Sequence, residues 1–117
     1  MMALNFVDEG HERMLRARTK DCTVRLGDVS GLYPQGSVVY ITVGAKGEPK
    51  HKLYTAYLDK VRIKTMGTLT KKDLAHQNPE IKTKEHLLED FERIYKRVLQ
   101  PEDVVTVIYF TEILEDE

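Results

Sequence analysis

Polar and apolar residues alternate in several stretches of this chain, and a period of two is typical of β-strands. Ser37 to Val43 is the clearest stretch, because Val, Tyr, Ile and Thr dominate it. Val104 to Ile113 is more apolar, which predicts a strand inside the sheet. His51 to Thr65 predicts one bent strand or two, and shorter strands are predicted over Met1 to Val7 and Thr19 to Leu26. The pattern therefore predicts about five to six strands.

Apolar residues spaced by three and four predict helices between some of these strands. Each predicted helix follows a residue that can cap its first turn: Asp8 before a helix through Arg18, Thr70 before Lys71 to His76, and Thr83 before Lys84 to about Val98. Strands outnumber helices, and turns rather than helical crossovers separate them. We therefore expect an α+β fold, a small and mostly antiparallel β-barrel with helices inserted and packed at one end.

Length and charge limit the function classes that need to be considered. The 117 residues predict a single domain over 1–117, whose acidic end at 114–117 is expected to fray. The formal net charge is −1, so no basic field covers the whole molecule, and any contact with nucleic acid needs a local patch.

The rest of the composition argues against metal, cofactor and membrane chemistry. One cysteine, Cys22, excludes an internal disulfide and a cysteine-rich metal site. The four histidines have no metal-ligand spacing, and the sequence contains no phosphate loop and no dinucleotide fingerprint. Apolar runs are far shorter than the roughly 20 residues that span a bilayer. We expect a soluble cytoplasmic protein with no cofactor, no metal and no membrane partner.

A cluster of polar side chains at the start of one predicted strand is the leading candidate site. On that strand Cys22 and Val24 can face a core, while Thr23 and Arg25 share the opposite face. Lys20 lies just upstream, where the chain leaves the first predicted helix. An ammonium, a hydroxyl and a guanidinium thus fall within six positions on a buried scaffold.

The order of these motifs resembles the ASCH domain, a relative of the PUA fold. The resemblance covers nearly the whole chain and includes Lys20-x-x-Thr23-x-Arg25, Gly36-Ser37-Val38 at a strand entry, an inserted helical segment from Leu74 to Tyr95, and the closing strand Asp103 to Phe110. It implies a PUA-like β-barrel with a cleft between barrel and helices. The family is proposed to bind RNA or nucleotide-like ligands in that cleft.

A small subgroup of the family, similar to this chain in length, hydrolyses the amide of acetylated cytidine. There a lysine is the base, a threonine the nucleophile and a glutamate the acid, which implies those roles for Lys20 and Thr23. A lysine has an ordinary pKa of about 10.4 and becomes a base at neutral pH only when burial or a like charge lowers it. Arg25 carries a like charge, so it is a neighbour of the kind that would lower the pKa of Lys20.

The position of the glutamate depends on how the inserted segment is aligned with the family. Counting back from the Ile-Tyr pair at 94–95 reaches Glu80, which is then the implied general acid. Aligning on Ala-x-Gln at 75–77 instead places Asn78 there, with no acid.

Binding without turnover is the leading hypothesis for function. The predicted cleft residues Lys20, Thr23, Arg25 and Glu80 can hold RNA or a nucleoside-type small molecule. Basic residues that could track a phosphate backbone lie near the first helix and along one strand: Arg16, Arg18, Lys20, Lys60, Arg62 and Lys64. The tyrosines 33, 40, 54 and 57 could stack on an unpaired base. An amidohydrolase acting on acetylcytidine-type nucleosides is the alternative, and a protein-interaction module is a third hypothesis.

Overall fold

The computed structural model describes residues 2–7, 9–77 and 83–114, and within them it contains one five-stranded sheet. The strands are β1 (Ala3–Phe6), β2 (Cys22–Leu26), β3 (Val38–Val43), β4 (His51–Thr65) and β5 (Val104–Ile113). The helices are α1 (Glu9–Arg16), α2 (Lys71–Gln77) and α3 (Lys84–Tyr95), and a short 3₁₀ turn covers Met66–Thr68. No helix of the described part of the chain is long and apolar enough to cross a membrane.

The sheet is mostly antiparallel, as predicted, and it curls into a half-barrel. Its strand order is β1-β3-β4-β5-β2, and only the β1–β3 pair is parallel. The apolar strand β5 lies inside the sheet, between β4 and β2. The two short strands β1 and β2 are the edges. The α+β, PUA-like class expected from the sequence is therefore confirmed, with five strands.

The stretch left open as one bent strand or two is a single strand of 15 residues, β4. Its register against β5 shifts between Leu58 and Lys60. On the N-terminal side of the shift, Tyr54 and Leu58 lie in the apolar cluster that fills the half-barrel. On its C-terminal side, Val61 packs against the same cluster. Even-numbered side chains face inward before the irregularity and odd-numbered ones after it. Apolar residues therefore occur at both even and odd positions of β4.

Two apolar clusters hold the domain together, one on each face of the sheet. The inner cluster fills the half-barrel and joins β1, β3, β4 and β5 to Leu15 of α1. The outer cluster packs β2 and β5 against the helices and comprises Cys22, Val24, Met66, Leu69, Leu74, Leu87, Phe91, Leu99, Val105 and Val107. The side chain of Cys22 is fully buried in it, as expected for a small apolar residue.

The predicted start of α3 is confirmed, but its predicted end is wrong. The hydroxyl of Thr83 accepts a hydrogen bond from the backbone N–H of His86. The helix ends at Tyr95, because Lys96 adopts a left-handed conformation with φ 56°, and it does not reach Val98. A non-glycine residue in that region has no clear sequence signature, so periodicity alone extended the helix too far.

Helix α1 is also shorter than predicted. It ends at Arg16, and Arg18 takes a left-handed conformation with φ 63° beyond it. There the guanidinium of Arg18 donates to the carbonyls of Leu15 and Arg16, which closes the end of the helix. The predicted cap at Asp8 lies outside the described residues, and so do residues 115–117 of the end at 114–117 that was predicted to fray.

Candidate functional site

The edge strand β2 carries the candidate site and is covered on both faces. Cys22 and Val24 pack into the outer cluster against the helices. Thr23, which is 4% exposed, shares the opposite face with Arg25. The division of side chains predicted from the alternation of the sequence is therefore confirmed.

Arg25 links the two edges of the half-barrel. Its Nη2 donates to the backbone oxygen of Asn5 on β1 at 2.8 Å, and its Nε donates to Oγ1 of Thr23 at 3.3 Å. The guanidinium carbon lies 4.8 Å from the centre of the Phe6 ring. Since β1 and β2 do not pair with each other, this side chain bridges the seam that a closed barrel would join by strand pairing.

Side chains from the helices accept hydrogen bonds from the N–H groups of β2 that point away from β5. The N–H of Val24 donates to Oε1 of Gln77, at the end of α2, at 3.0 Å. The N–H of Leu26 donates to the hydroxyl of Tyr95, at the end of α3, at 3.4 Å. Both helices are thereby attached to an edge that would otherwise present unpaired donors.

Lys20 lies behind this edge and is 1% exposed. Its ammonium donates to the backbone oxygen of Cys22 at 2.5 Å, to Oε1 of Gln77 at 2.9 Å, and to the backbone oxygen of Gln77. Three acceptors match the three donors of an ammonium group. Burial lowers the pKa of Lys20 to about 7, and the positive charge of Arg25 acts in the same direction.

A cavity of about 60 Å³ opens at the seam between β1 and β2. It is lined by Asn5, Phe6, Val7, His11, Thr23, Val24, Arg25, Gln77, Phe91, Ile94 and Tyr95. None of these described lining residues is acidic. Thr23 and Arg25 thus meet at one cavity, whereas Lys20 is not among its lining residues and is connected to it through Gln77.

The two alignments of the inserted segment assigned the acid position to Glu80 or to Asn78. Glu80 lies outside the described residues, and so does Asn78, the position reached by the second alignment. His76, at the end of α2, is described, and its Nδ1 lies 2.6 Å from Oδ1 of Asp21. Within the described ranges, no group of three or more His, Cys, Asp or Glu side chains could hold a metal ion.

Three of the six basic residues predicted to track a phosphate backbone have carboxylate partners. The pairs are Arg16 with Glu12 at 2.9 Å, Arg18 with Glu112 at 2.8 Å, and Lys64 with Asp73 at 2.7 Å. Lys60 and Arg62 are exposed and have no ion pair with a carboxylate of the described residues. An Nη1 of Arg62 donates instead to Oε1 of Gln35 at 2.5 Å. Their role in RNA binding stays a prediction.

Sequence reasoning missed a second polar cluster, which is centred on Asp73 of α2. Its buried carboxylate accepts hydrogen bonds from Nζ of Lys64 at 2.7 Å, the hydroxyl of Tyr109 at 2.6 Å and the N–H of Thr70 at 3.0 Å. Burial raises the pKa of Asp73, but these hydrogen bonds outweigh that effect and lower it to about 2. The spacing Thr70-x-x-Asp73 is a capping-box signal that could have identified the carboxylate.

We expect the stability of the protein to rise between pH 7 and pH 9. The pKa of Lys20 is about 7 in the folded protein and about 10.5 unfolded, so the unfolded chain binds more protons in this range. One proton corresponds to about 1.4 kcal/mol per pH unit, hence about 2 kcal/mol over the range. Above about pH 9 the gain should stop, because burial raises the pKa of the Cys22 thiol from 9.0 to about 12 and thiol ionisation then favours unfolding.

Urea unfolding at fixed temperature across pH 6 to 10 measures this effect. The rise should disappear in Lys20→Met and remain in Lys60→Met, which alters an exposed lysine. A ¹³C NMR titration of the Lys20 side chain provides the pKa directly. Parallel stability curves for the wild type and Lys20→Met, or an ordinary pKa for Lys20, would contradict the expectation.

Comparison with solved structures identifies the fold. A crystal structure described as an ASCH domain from Lactobacillus crispatus JV V101 has 11% identity and a TM-score of 0.63, covering 95% of this chain and 78% of that one. The chain has the ASCH-domain fold. The resemblance drawn from Lys20-x-x-Thr23-x-Arg25 and the order of the elements is therefore confirmed at the level of the fold.

Two further solved structures are similar to this chain over most of its length. A protein from Enterococcus faecalis V583, whose family model is DUF984, has 13% identity and a TM-score of 0.65, covering 97% of this chain and 76% of that one. A protein from Pyrococcus furiosus, solved by NMR, has 16% identity and a TM-score of 0.57, covering 96% and 98%. No family model matches this sequence, and no curated protein matches it.

Proposed function

We propose that this ASCH-fold protein binds a nucleoside- or nucleotide-type ligand, either free or as an unpaired nucleotide of RNA, at the mouth of the cavity between β1 and β2, whose volume of about 60 Å³ holds only part of such a ligand. The observation that carries the proposal is the meeting of Thr23 and Arg25 on the wall of that cavity. A hydroxyl and a guanidinium side by side can donate to the carbonyl, phosphate or hydroxyl oxygens of a nucleotide.

The rest of the cavity wall suits a flat, partly apolar ligand. Phe6, Phe91, Ile94 and Tyr95 provide apolar and aromatic surface, and they belong to a strand and a helix that are firmly packed. A few polar groups set into an apolar wall are typical of small-molecule sites. Aromatic side chains also provide stacking surfaces for a base.

The charge distribution favours a single nucleotide over a long RNA backbone. Three of the predicted phosphate contacts, Arg16, Arg18 and Lys64, are engaged in ion pairs with carboxylates. An extended basic track is therefore not preformed on the described surface. The ligand contacts are concentrated instead at Arg25 and Thr23.

Titration of ¹⁵N-labelled protein with cytidine, cytidine 5′-monophosphate and a short single-stranded RNA tests the proposal. Amide shifts should concentrate at β2, β1 and the end of α3. Thr23→Val should weaken binding about tenfold, because a ligand hydrogen bond of roughly 1.4 kcal/mol is lost. Thr111→Val, which changes an exposed threonine away from the cavity, is the matched control. Absence of binding by every one of these ligands would refute nucleotide recognition.

The arrangement also supports amide hydrolysis as a second candidate function. Thr23 lies in the cavity, and the pKa of Lys20 is about 7, low enough for a base at neutral pH. All three Nζ donors of Lys20 point at carbonyl oxygens, two of them on Gln77. Acting on Thr23 would therefore require the neutral amine to turn away from Gln77.

Release of acetate from N4-acetylcytidine distinguishes the two candidates. An amidohydrolase would release acetate, and Thr23→Ala and Lys20→Met would both abolish the release with the circular dichroism spectrum unchanged. Binding of the substrate without any release by the wild-type protein would exclude the hydrolase. Neither binding nor release would leave the third hypothesis, a protein-interaction module.

A further inference from the structure

The charge of Arg25 has no counter-ion among the described residues. The oxygens that accept its hydrogen bonds are a backbone carbonyl and a hydroxyl, both uncharged. The groups that favour its charged form are the phenols of Tyr95 and Tyr33, and neither is a carboxylate. A guanidinium stays protonated in proteins, so this is a permanent positive charge.

Arg25 and Thr23, which both line the cavity, have donors without an acceptor among the described residues. A guanidinium has five N–H donors. Within the described part of the protein, Arg25 uses one donor on Nε and one on Nη2. Thr23 accepts through its oxygen, and its own O–H donates to no acceptor of the described residues. A second basic group, Lys20, lies behind the wall with three uncharged acceptors.

The acidic groups nearby do not neutralise this end of the cavity. Asp21 and Asp90 act on Lys20 at longer range, and neither lines the cavity. Asp21 contacts His76, and Asp90 is bonded to Arg93. The wall around Arg25 is largely apolar, and in such surroundings an unpaired charge interacts strongly with a counter-ion.

We infer that the cavity is selective for an anion: a phosphate or carboxylate group binds Arg25 and Thr23, and a flat apolar body attached to it lies along Phe91, Ile94 and Tyr95. The inference rests on the proposed function and refines it. For a nucleotide, the phosphate rather than the base occupies the polar end. An aromatic carboxylate has the same chemistry and is the other possible source of the anion.

Isothermal titration calorimetry with four probes tests the inference: cytidine, cytidine 5′-monophosphate, benzoate and inorganic phosphate. We expect the monophosphate to bind at least about tenfold more tightly than cytidine, with an affinity that falls as salt is raised from 50 to 300 mM. Arg25→Gln should remove this preference, Arg25→Lys should keep part of it, and Arg97→Gln, at an exposed arginine that pairs with Asp103, should leave it unchanged. If Arg25→Gln unfolds the protein, Arg25→Lys and the salt dependence still decide the question.

The outcomes separate this inference from the proposed function. Equal affinity for cytidine and its monophosphate would overturn the anion preference and leave nucleoside binding intact. Binding of benzoate but of neither cytidine compound would support the anion site and refute nucleotide recognition. Inorganic phosphate binding as tightly as the monophosphate would overturn the role assigned to the apolar wall.

Discussion

Replacing Asp73 by alanine is expected to lower the free energy of unfolding by about 3 kcal/mol. Asp73 is 3% exposed, and its carboxylate accepts from Lys64, Tyr109 and the N–H of Thr70. Its removal leaves an ammonium and a phenol without their acceptor. Breaking a buried pair costs about 3 to 5 kcal/mol, and the partial exposure of Lys64, 27% for its side chain, places the value at the lower end.

Urea denaturation at pH 7 measures this loss. Asp59→Ala is the matched control, because Asp59 accepts from Thr111 at the surface, and it should cost less than about 1 kcal/mol. Adding Lys64→Met to the Asp73 variant should restore part of the loss by removing the unpaired cation. The pKa of Asp73 is about 2, below its ordinary 3.8, so its contribution exists above pH 4 and disappears as pH falls through 2. A loss under 1 kcal/mol at pH 7 would contradict the role assigned to Asp73.

Replacing Gln77 by leucine is expected to be nearly as destabilising, again by about 3 kcal/mol. Its Oε1 accepts from the ammonium of Lys20 at 2.9 Å and from the N–H of Val24 at 3.0 Å, and Gln77 is 1% exposed. Each buried donor left without an acceptor costs about 1 to 3 kcal/mol. The pKa of Lys20 should fall further, because the protonated form loses one of its three acceptors.

Gln35 provides a control with the same bonding pattern at the surface. Its Oε1 also accepts from one backbone N–H, that of Val61, and from one cation, Arg62. Because water can replace an exposed acceptor, Gln35→Leu should cost less than about 1 kcal/mol. Equal effects of the two leucine variants in urea denaturation would show that burial at the β2 edge does not determine the stability contribution of Gln77.

Local patterns predicted much of the fold because they reflect local physics. Alternation from Cys22 to Arg25 assigned side chains to the two faces of β2 correctly, since the period of a strand is independent of its partners. The caps at Thr70 and Thr83 were also predicted, because a cap contacts backbone only a few residues away. The end of α3 was not predicted correctly, since the left-handed conformation of Lys96 has no sequence signature.

The candidate site was predicted in part. Thr23 and Arg25 do meet at a cavity, and Lys20 is close in sequence, but its ammonium points at Gln77 rather than lining that cavity. Gln77 lies 57 residues from Lys20, and no local spacing connects the two. The RNA-binding roles predicted for the basic residues also depended on their ion-pair partners, which local spacing does not reveal. Arg18, for example, pairs with Glu112.

The sequence by itself determined which side chains share a face, where two of the helices begin, and that a hydroxyl and a guanidinium lie together on β2. These properties depend on backbone geometry over a few residues, and residue type and spacing are enough to predict them. Only the tertiary structure decided which charges are neutralised and which are left to face the cavity. Arg18 pairs with Glu112, 94 residues away along the chain, and Lys64 pairs with Asp73, 9 residues away, whereas Arg25 has no carboxylate partner among the described residues. Long-range packing sets the distances between charges, and those distances determine what the site can bind.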